Sequence, residues 1–72
     1  MSYNYSKLKG RIVEFFDNQR NFAKAMELSE RSISLKMSGK RAWKQTDITK
    51  ACILLDIKEE NIPLYFFNAK VQ

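Results

Sequence analysis

Residues 18–39, Asn-Gln-Arg-Asn-Phe-Ala-Lys-Ala-Met-Glu-Leu-Ser-Glu-Arg-Ser-Ile-Ser-Leu-Lys-Met-Ser-Gly, constrain the fold more than any other stretch. Their apolar residues fall at helical spacing in two short groups with a polar break between them. Asn18 is placed to cap a first helix whose buried side is Phe22, Ala23 and Met26, with Ala23 small where a second helix must cross close by. Leu28 interrupts the polar break as a buried plug, and Ser29 supplies a hydroxyl cap for the next helix. That helix buries Ile33 and Met37, four apart on one face, and turns Glu30, Arg31, Ser32, Ser34 and Lys36 outward. Gly39 ends it where the backbone must enter left-handed space. Helix, short turn and displayed polar helix are the parts of a helix-turn-helix, whose second helix lies in the major groove of DNA.

Any helical hairpin shares part of this pattern, so the details around it matter. Gln19 follows the cap, Ala23 sits at the crossing, and Leu28-Ser29 with Ile33-Ser34 follow at the expected distance. With these residues the chain resembles the small temperate-phage repressors and Cro-type regulators. The resemblance runs over residues 5–67, through Lys7-Leu8-Lys9-Gly10, Trp43-Lys44, and Ile62-Pro63 with Tyr65-Phe66-Phe67. It implies an all-α, five-helix domain of the lambda-repressor type. One position departs from the pattern: the family usually has glycine just before the apolar plug, and here it is Glu27. A side chain there must accept a left-handed backbone at some cost, or the turn is reshaped.

Seventy-two residues make one domain with room for a single small core, and five phenylalanines, three tyrosines and a tryptophan can build it without staples. Cys52, the one cysteine, excludes an internal disulfide and a cysteine-rich zinc site. It lies in the apolar run Ala51-Cys52-Ile53-Leu54-Leu55, where a buried structural thiol is expected rather than a reactive one. That run is far too short to span a membrane. The first twenty residues carry Lys7, Lys9, Glu14 and Asp17 and read as no signal peptide, so a cytoplasmic protein is expected.

Along the chain, residues 1–4 read as a frayed lead, and Asn4 or Ser6 as the cap of a first helix running to about Phe16. Tyr5, Leu8, Ile12 and Phe15 or Phe16 face the core by their spacing, and Gly10 suggests a close helix crossing. A fourth helix is expected from Gln45 or Thr46 to Leu55, burying Ile48, Cys52 and Leu55, with Asp47 in its first turn favouring the helix dipole. Asp56-Ile57-Lys58 reads as a turn with Ile57 buried. Glu59-Glu60-Asn61 opens a last short helix, with Pro63 either in its first turn or as its terminator. Residues 62–67 carry five large apolar side chains that cannot share one face, so Leu64, Phe66 and Phe67 are candidates for contact with a second subunit or another protein. Residues 69–72 read as frayed.

Catalysis finds no inventory here. There is no histidine, the two glycines are far apart, no carboxylates recur at metal-binding spacing, and Cys52 lacks an obvious base. No cofactor, metal or small-molecule substrate is implied. Thirteen Lys and Arg against eight Asp and Glu leave a net charge of +5, which favours an anionic partner. The distribution is more telling, because Arg31, Lys36, Lys40, Arg41 and Lys44 fall in a stretch with no acidic residue between Glu30 and Asp47. A solvated basic loop would look the same. The alternative is a phosphate-contacting surface beside a displayed helix. Trp43 in that loop either anchors it to the core, the favoured reading, or lies beside the phosphates donating its indole N–H.

Two functions follow from the resemblance. In the first, the chain is a regulator of a phage lysis–lysogeny switch that binds operator DNA. Glu30, Arg31, Ser32, Ser34 and Leu35 would meet base edges, Arg31 suiting guanine and Leu35 a thymine methyl. By family position Gln19, Lys36, Ser38 and Lys40 would contact phosphates, joined by Arg41 and Lys44 from the basic loop. In the second, it is a modulator of repression, an antirepressor that binds the phage repressor itself. Glu27, Glu30 and Arg31, with the apolar C-terminal residues, would then form the contact. Operator binding is the first expectation and repressor binding the alternative.

Overall fold

The computed structural model describes residues 3–68, which form five α-helices and one 3-10 turn. They are α1 (Ser6–Phe16), α2 (Gln19–Met26), α3 (Glu30–Met37), α4 (Gln45–Leu54), the 3-10 turn Glu59–Asn61, and α5 (Ile62–Phe66). The all-α expectation holds.

Each boundary has a local cause. The N-cap of α1 is Tyr5, without a side-chain cap bond, so neither Asn4 nor Ser6 is the cap; Asn4, one residue before it, accepts the Ser6 N–H at 2.8 Å and the Ser6 hydroxyl. Asp17 (φ 74°) turns the chain out of α1. Asn18 then caps α2 by accepting the Asn21 N–H at 2.9 Å, while the Asn21 amide donates back to the Phe16 carbonyl. Glu27 takes the left-handed backbone (φ 61°) that ends α2, and the Leu28 N–H reaches back to the Ala23 carbonyl. Ser29 caps α3 through the Ser32 N–H at 3.1 Å, and Gly39 (φ 81°) lies in the left-handed region after α3. At the far end of α4, Arg11 of α1 donates to the Leu55 and Asp56 carbonyls at 2.9 and 3.0 Å, satisfying acceptors the helix leaves open.

The core is assembled from every helix: Leu8 and Ile12 from α1, Phe22, Ala23 and Met26 from α2, and Ile33 from α3. Ile48, Ala51 and Cys52 of α4, Leu55 and Ile57 just after it, and Phe66 of α5 complete it. Leu28 and Met37 are half-buried against it. Of the two candidate α1 phenylalanines, Phe16 packs on Phe22 with ring centroids 5.6 Å apart, and Phe15 is exposed beneath the Arg11 guanidinium. Trp43 is a core anchor, edge-on to Phe66 at 5.1 Å, and its indole nitrogen is buried, which rules out the phosphate-donor role.

Three further expectations are corrected. No close crossing explains Gly10, since a Cβ added there would meet nothing within 4 Å. Tyr3 and Asn4 are not frayed: the Asn4 N–H donates to the Asn68 carbonyl at 2.7 Å, and Tyr3 packs edge-on against Phe67. This clasp joins the two ends of the described chain. The fraying expected at residues 1, 2 and 69–72 falls outside the described residues. Finally, α4 ends at Leu54, with Leu55 as its cap, one residue short of the expected end.

Candidate interaction surface on the α2–turn–α3 unit

The packing of α3 against α2 through Ile33, Phe22 and Ala23 decides which α3 residues face outward. Arg31 and Ser34 are exposed, and so is Glu30 at the first position. Glu30 reaches Arg20 of α2 at 3.5 Å, and at 57 % and 70 % side-chain exposure this pair is a weak, mobile one. Ser32 is half-buried and engaged: its hydroxyl accepts from Ser29 at 3.0 Å and from the Arg41 guanidinium at 3.1 Å. Leu35 is half-buried too, and its carbonyl takes the Ser38 hydroxyl and the backbone N–H groups of Lys40 and Arg41. Those bonds hold the basic loop against the end of α3.

Lys36 overturns its expected place. It is buried, at 4 % exposure, where the sequence pattern turned it outward to a phosphate. Its Nζ donates to Asp47 at 2.8 Å and to the Ala42 carbonyl at 3.1 Å, and lies 5.9 Å from the centre of the Trp43 ring. The chain after Gly39 turns back so that Ala42 and, in the first turn of α4, Asp47 reach the Lys36 side chain, which is covered rather than displayed. Burial pushes the Asp47 carboxyl up. The hydrogen bonds from Lys36 and the Lys44 N–H, with both lysine charges, outweigh that and hold it below the usual carboxylate range.

The remaining basic candidates, Lys40, Arg41 and Lys44, are exposed on the loop, and Ser38 is exposed at the end of α3. Gln19 is half-buried beside Ser34 and Ser38 on an open groove of mixed character, which Tyr3, Tyr5 and Met37 line together with Asn4, Ser6 and Lys9. In the turn, Glu27 is exposed and pairs with Lys50 of α4 at 2.8 Å. That hydrogen bond and the lysine charge lower its carboxyl pKa. At the C-terminus the expected contact set divides. Leu64 and Phe67 are 44 % and 49 % exposed, whereas Phe66 is buried at 1 % and belongs to the core.

The pairings of Glu30 with Arg20, Glu27 with Lys50 and Lys36 with Asp47 carried no signal in the sequence. Each pair joins two elements through tertiary packing, and spacing along the chain says nothing of such meetings. Lys9, which lines the groove from α1, carried no site reading in the sequence. Among the described residues no helix is long and apolar enough to cross a membrane, and no group of His, Cys, Asp and Glu could hold a metal ion.

A family and a solved structure each match nearly the whole chain. A family described as protein of unknown function (DUF739) matches residues 1–69. Among solved structures, the chain is similar to the modulator of repression (MOR) of the temperate bacteriophage TP901-1 from Lactococcus lactis, determined in solution. The two are 53% identical with a TM-score of 0.84, over 100% of this chain and 97% of that one. No curated protein matches the sequence.

Proposed function

The chain belongs to the DUF739 family, and from that premise we propose that it regulates a phage lysis–lysogeny switch by binding the phage repressor. The contact surface would be the exposed residues of α2, its turn and α3. The observation that carries a role in repression is the end-to-end likeness, at 53% identity, to a phage modulator of repression. That likeness also speaks for a regulator rather than an enzyme.

The charge pattern favours a protein target over a duplex. With Lys36 buried against Asp47, the exposed charges on this unit are Arg20, Lys24 and Arg31 against Glu27 and Glu30. DNA presents about one negative charge per 1.7 Å of helix axis, and a reading face with two carboxylates is poorly matched to it. A repressor's own DNA-binding face must be basic, and Glu27 and Glu30 complement such a surface. Operator binding is the second reading, supported by exposed Arg31 on α3 with Lys40, Arg41 and Lys44 beside it.

One substitution has opposite signs in the two readings. Glu30→Gln should weaken binding to the repressor by slowing association, and should leave operator binding unchanged or tighter. Arg31→Ala should cost about 1–3 kcal/mol at a specific operator and much less on random DNA if it reads a base. Titrating parent and variants against purified repressor and against operator DNA at matched salt separates them. Tight operator binding by the parent, lost in Arg31→Ala, together with no repressor binding, would overturn the first reading.

A further inference from the structure

On the side of α4 away from these residues, Gln45, Thr49, Cys52 and Ile53 share one helical face. With Ile57, Glu59 and Ile62 they line a groove of about 320 Å³. Ile53 is 76 % exposed, the most exposed large apolar side chain among the described residues. The α4 sequence does not require this, since a polar residue would serve a solvated helix face better. Glu59 lines the groove, and the segment it belongs to is acidic in an otherwise basic chain. Residues 56–60, Asp-Ile-Lys-Glu-Glu, carry exposed Asp56, Glu59 and Glu60 against Lys58, and none of these three carboxylates forms a salt bridge among the described residues. The nearby Arg11 is engaged with the Leu55 and Asp56 carbonyls and with Glu14.

We propose that this groove is a docking site for a basic amphipathic segment of a partner protein. An apolar side chain of the segment would cover Ile53 above Ile57 and Ile62, and its lysines or arginines would face Glu59 and Glu60. The carboxylates beside the groove repel the phosphates of DNA and of anionic membranes. The basic loop of a second copy is poorly matched, since its one large apolar residue, Trp43, is packed into the core on Phe66. Its α1, with exposed Lys7, Lys9, Val13 and Phe15, is the competing occupant, tested by concentrating the protein. The site is separate from the α2–turn–α3 surface, so the two could be occupied at once.

The test titrates the isotopically labelled full chain with a short helical peptide of leucine and lysine, and separately with its leucine–glutamate counterpart, following backbone amide shifts. The leucine–lysine peptide should move the amides of Thr49, Ile53, Ile57, Glu59 and Ile62, and binding should weaken as salt is raised. Ile53→Ser should weaken it by about tenfold or more, as expected for losing the burial of one aliphatic side chain. Because Ile53 is solvent-exposed, that variant should keep the parent's thermal melt. Glu59→Gln/Glu60→Gln, which leaves the apolar floor intact, should weaken the lysine peptide by several-fold and leave no preference over the glutamate peptide. Equal binding of the two peptides by the parent, shifts mapping elsewhere, or no binding would overturn the proposal. So would movement of the same amides on simply concentrating the protein, which would mean that a second copy covers the groove.

Discussion

Removing the Asp47 carboxylate tests the contact that most changed the picture of the surface. In Asp47→Ala the Lys36 ammonium, at 4 % exposure, would keep only the Ala42 carbonyl at 3.1 Å. Taking away one partner of a buried ion pair costs about 3–5 kcal/mol, because the other charge is left desolvated. The 16 % exposure of the Asp47 side chain lets some water reach the gap and argues for the lower end. Loss of the acceptor for the Lys44 N–H at the start of α4, 3.1 Å away, adds to the same loss. A chain of this length has about 4–11 kcal/mol of total stability. A 3 kcal/mol loss is therefore a large part of it, and with m near 1 kcal/mol/M it moves the urea midpoint by about 3 M. Lys36→Met/Asp47→Leu, which removes both charges, should recover most of the loss. The effect should barely respond to salt, as the pair is shielded from solvent ions. Its pH dependence has a defined sign. The folded carboxyl lies below its usual value of about 3.9, so the contribution is complete above that value and fades as pH falls through the lower folded one. An Asp47→Ala variant within about 1 kcal/mol of the parent, or a loss that salt abolishes, would refute the reasoning and class the pair with exposed ones.

Other outcomes follow from the same contacts. Ile33→Ala should cost about 2–5 kcal/mol, since Ile33 is fully buried between α3 and α2, and a melt within a degree or two of the parent would show the core misplaced. Glu27→Gly should raise the melting temperature, because glycine accepts φ 61° without strain and the Lys50 pair it gives up is exposed; a lower one would mean that pair outweighs the backbone term. Cys52 should react slowly with a thiol reagent until the chain unfolds, because burial pushes its pKa up, and rapid labelling of the native protein would contradict that burial. If operator DNA is bound at all, Lys40→Ala/Arg41→Ala/Lys44→Ala should flatten the salt dependence by about 0.9 per lost phosphate contact, whereas Lys36→Met should leave the slope unchanged.

Much of the architecture was legible in local chemistry. The caps at Asn18 and Ser29, the left-handed residues Glu27 and Gly39, and the buried Phe22, Ala23, Met26 and Ile33 all rest on spacing and on side chains acting within a few residues of themselves. The same holds for the turn at Ile57 and for Pro63 in the first turn of α5. The solvent-facing sites were less legible. Periodicity marks which residues of a helix face its nearest neighbour, but it does not show that a second neighbour will cover another face. Lys36 fits an outward position of an isolated α3 and is buried because the chain after Gly39 returns across it.

The sequence by itself determined the five helices, their order and the two capped helices at the centre, because hydrophobic period, capping side chains and glycine conformation act over a few residues. Only the tertiary structure decided the character of the surface. Burying Lys36 with Asp47, pairing Glu30 with Arg20 and Glu27 with Lys50, and placing Phe66 inside while Leu64 and Phe67 stay out are contacts between residues distant in the chain. A charge's availability to a partner depends on what packs beside it, and that neighbour is set by the fold rather than by spacing along the chain.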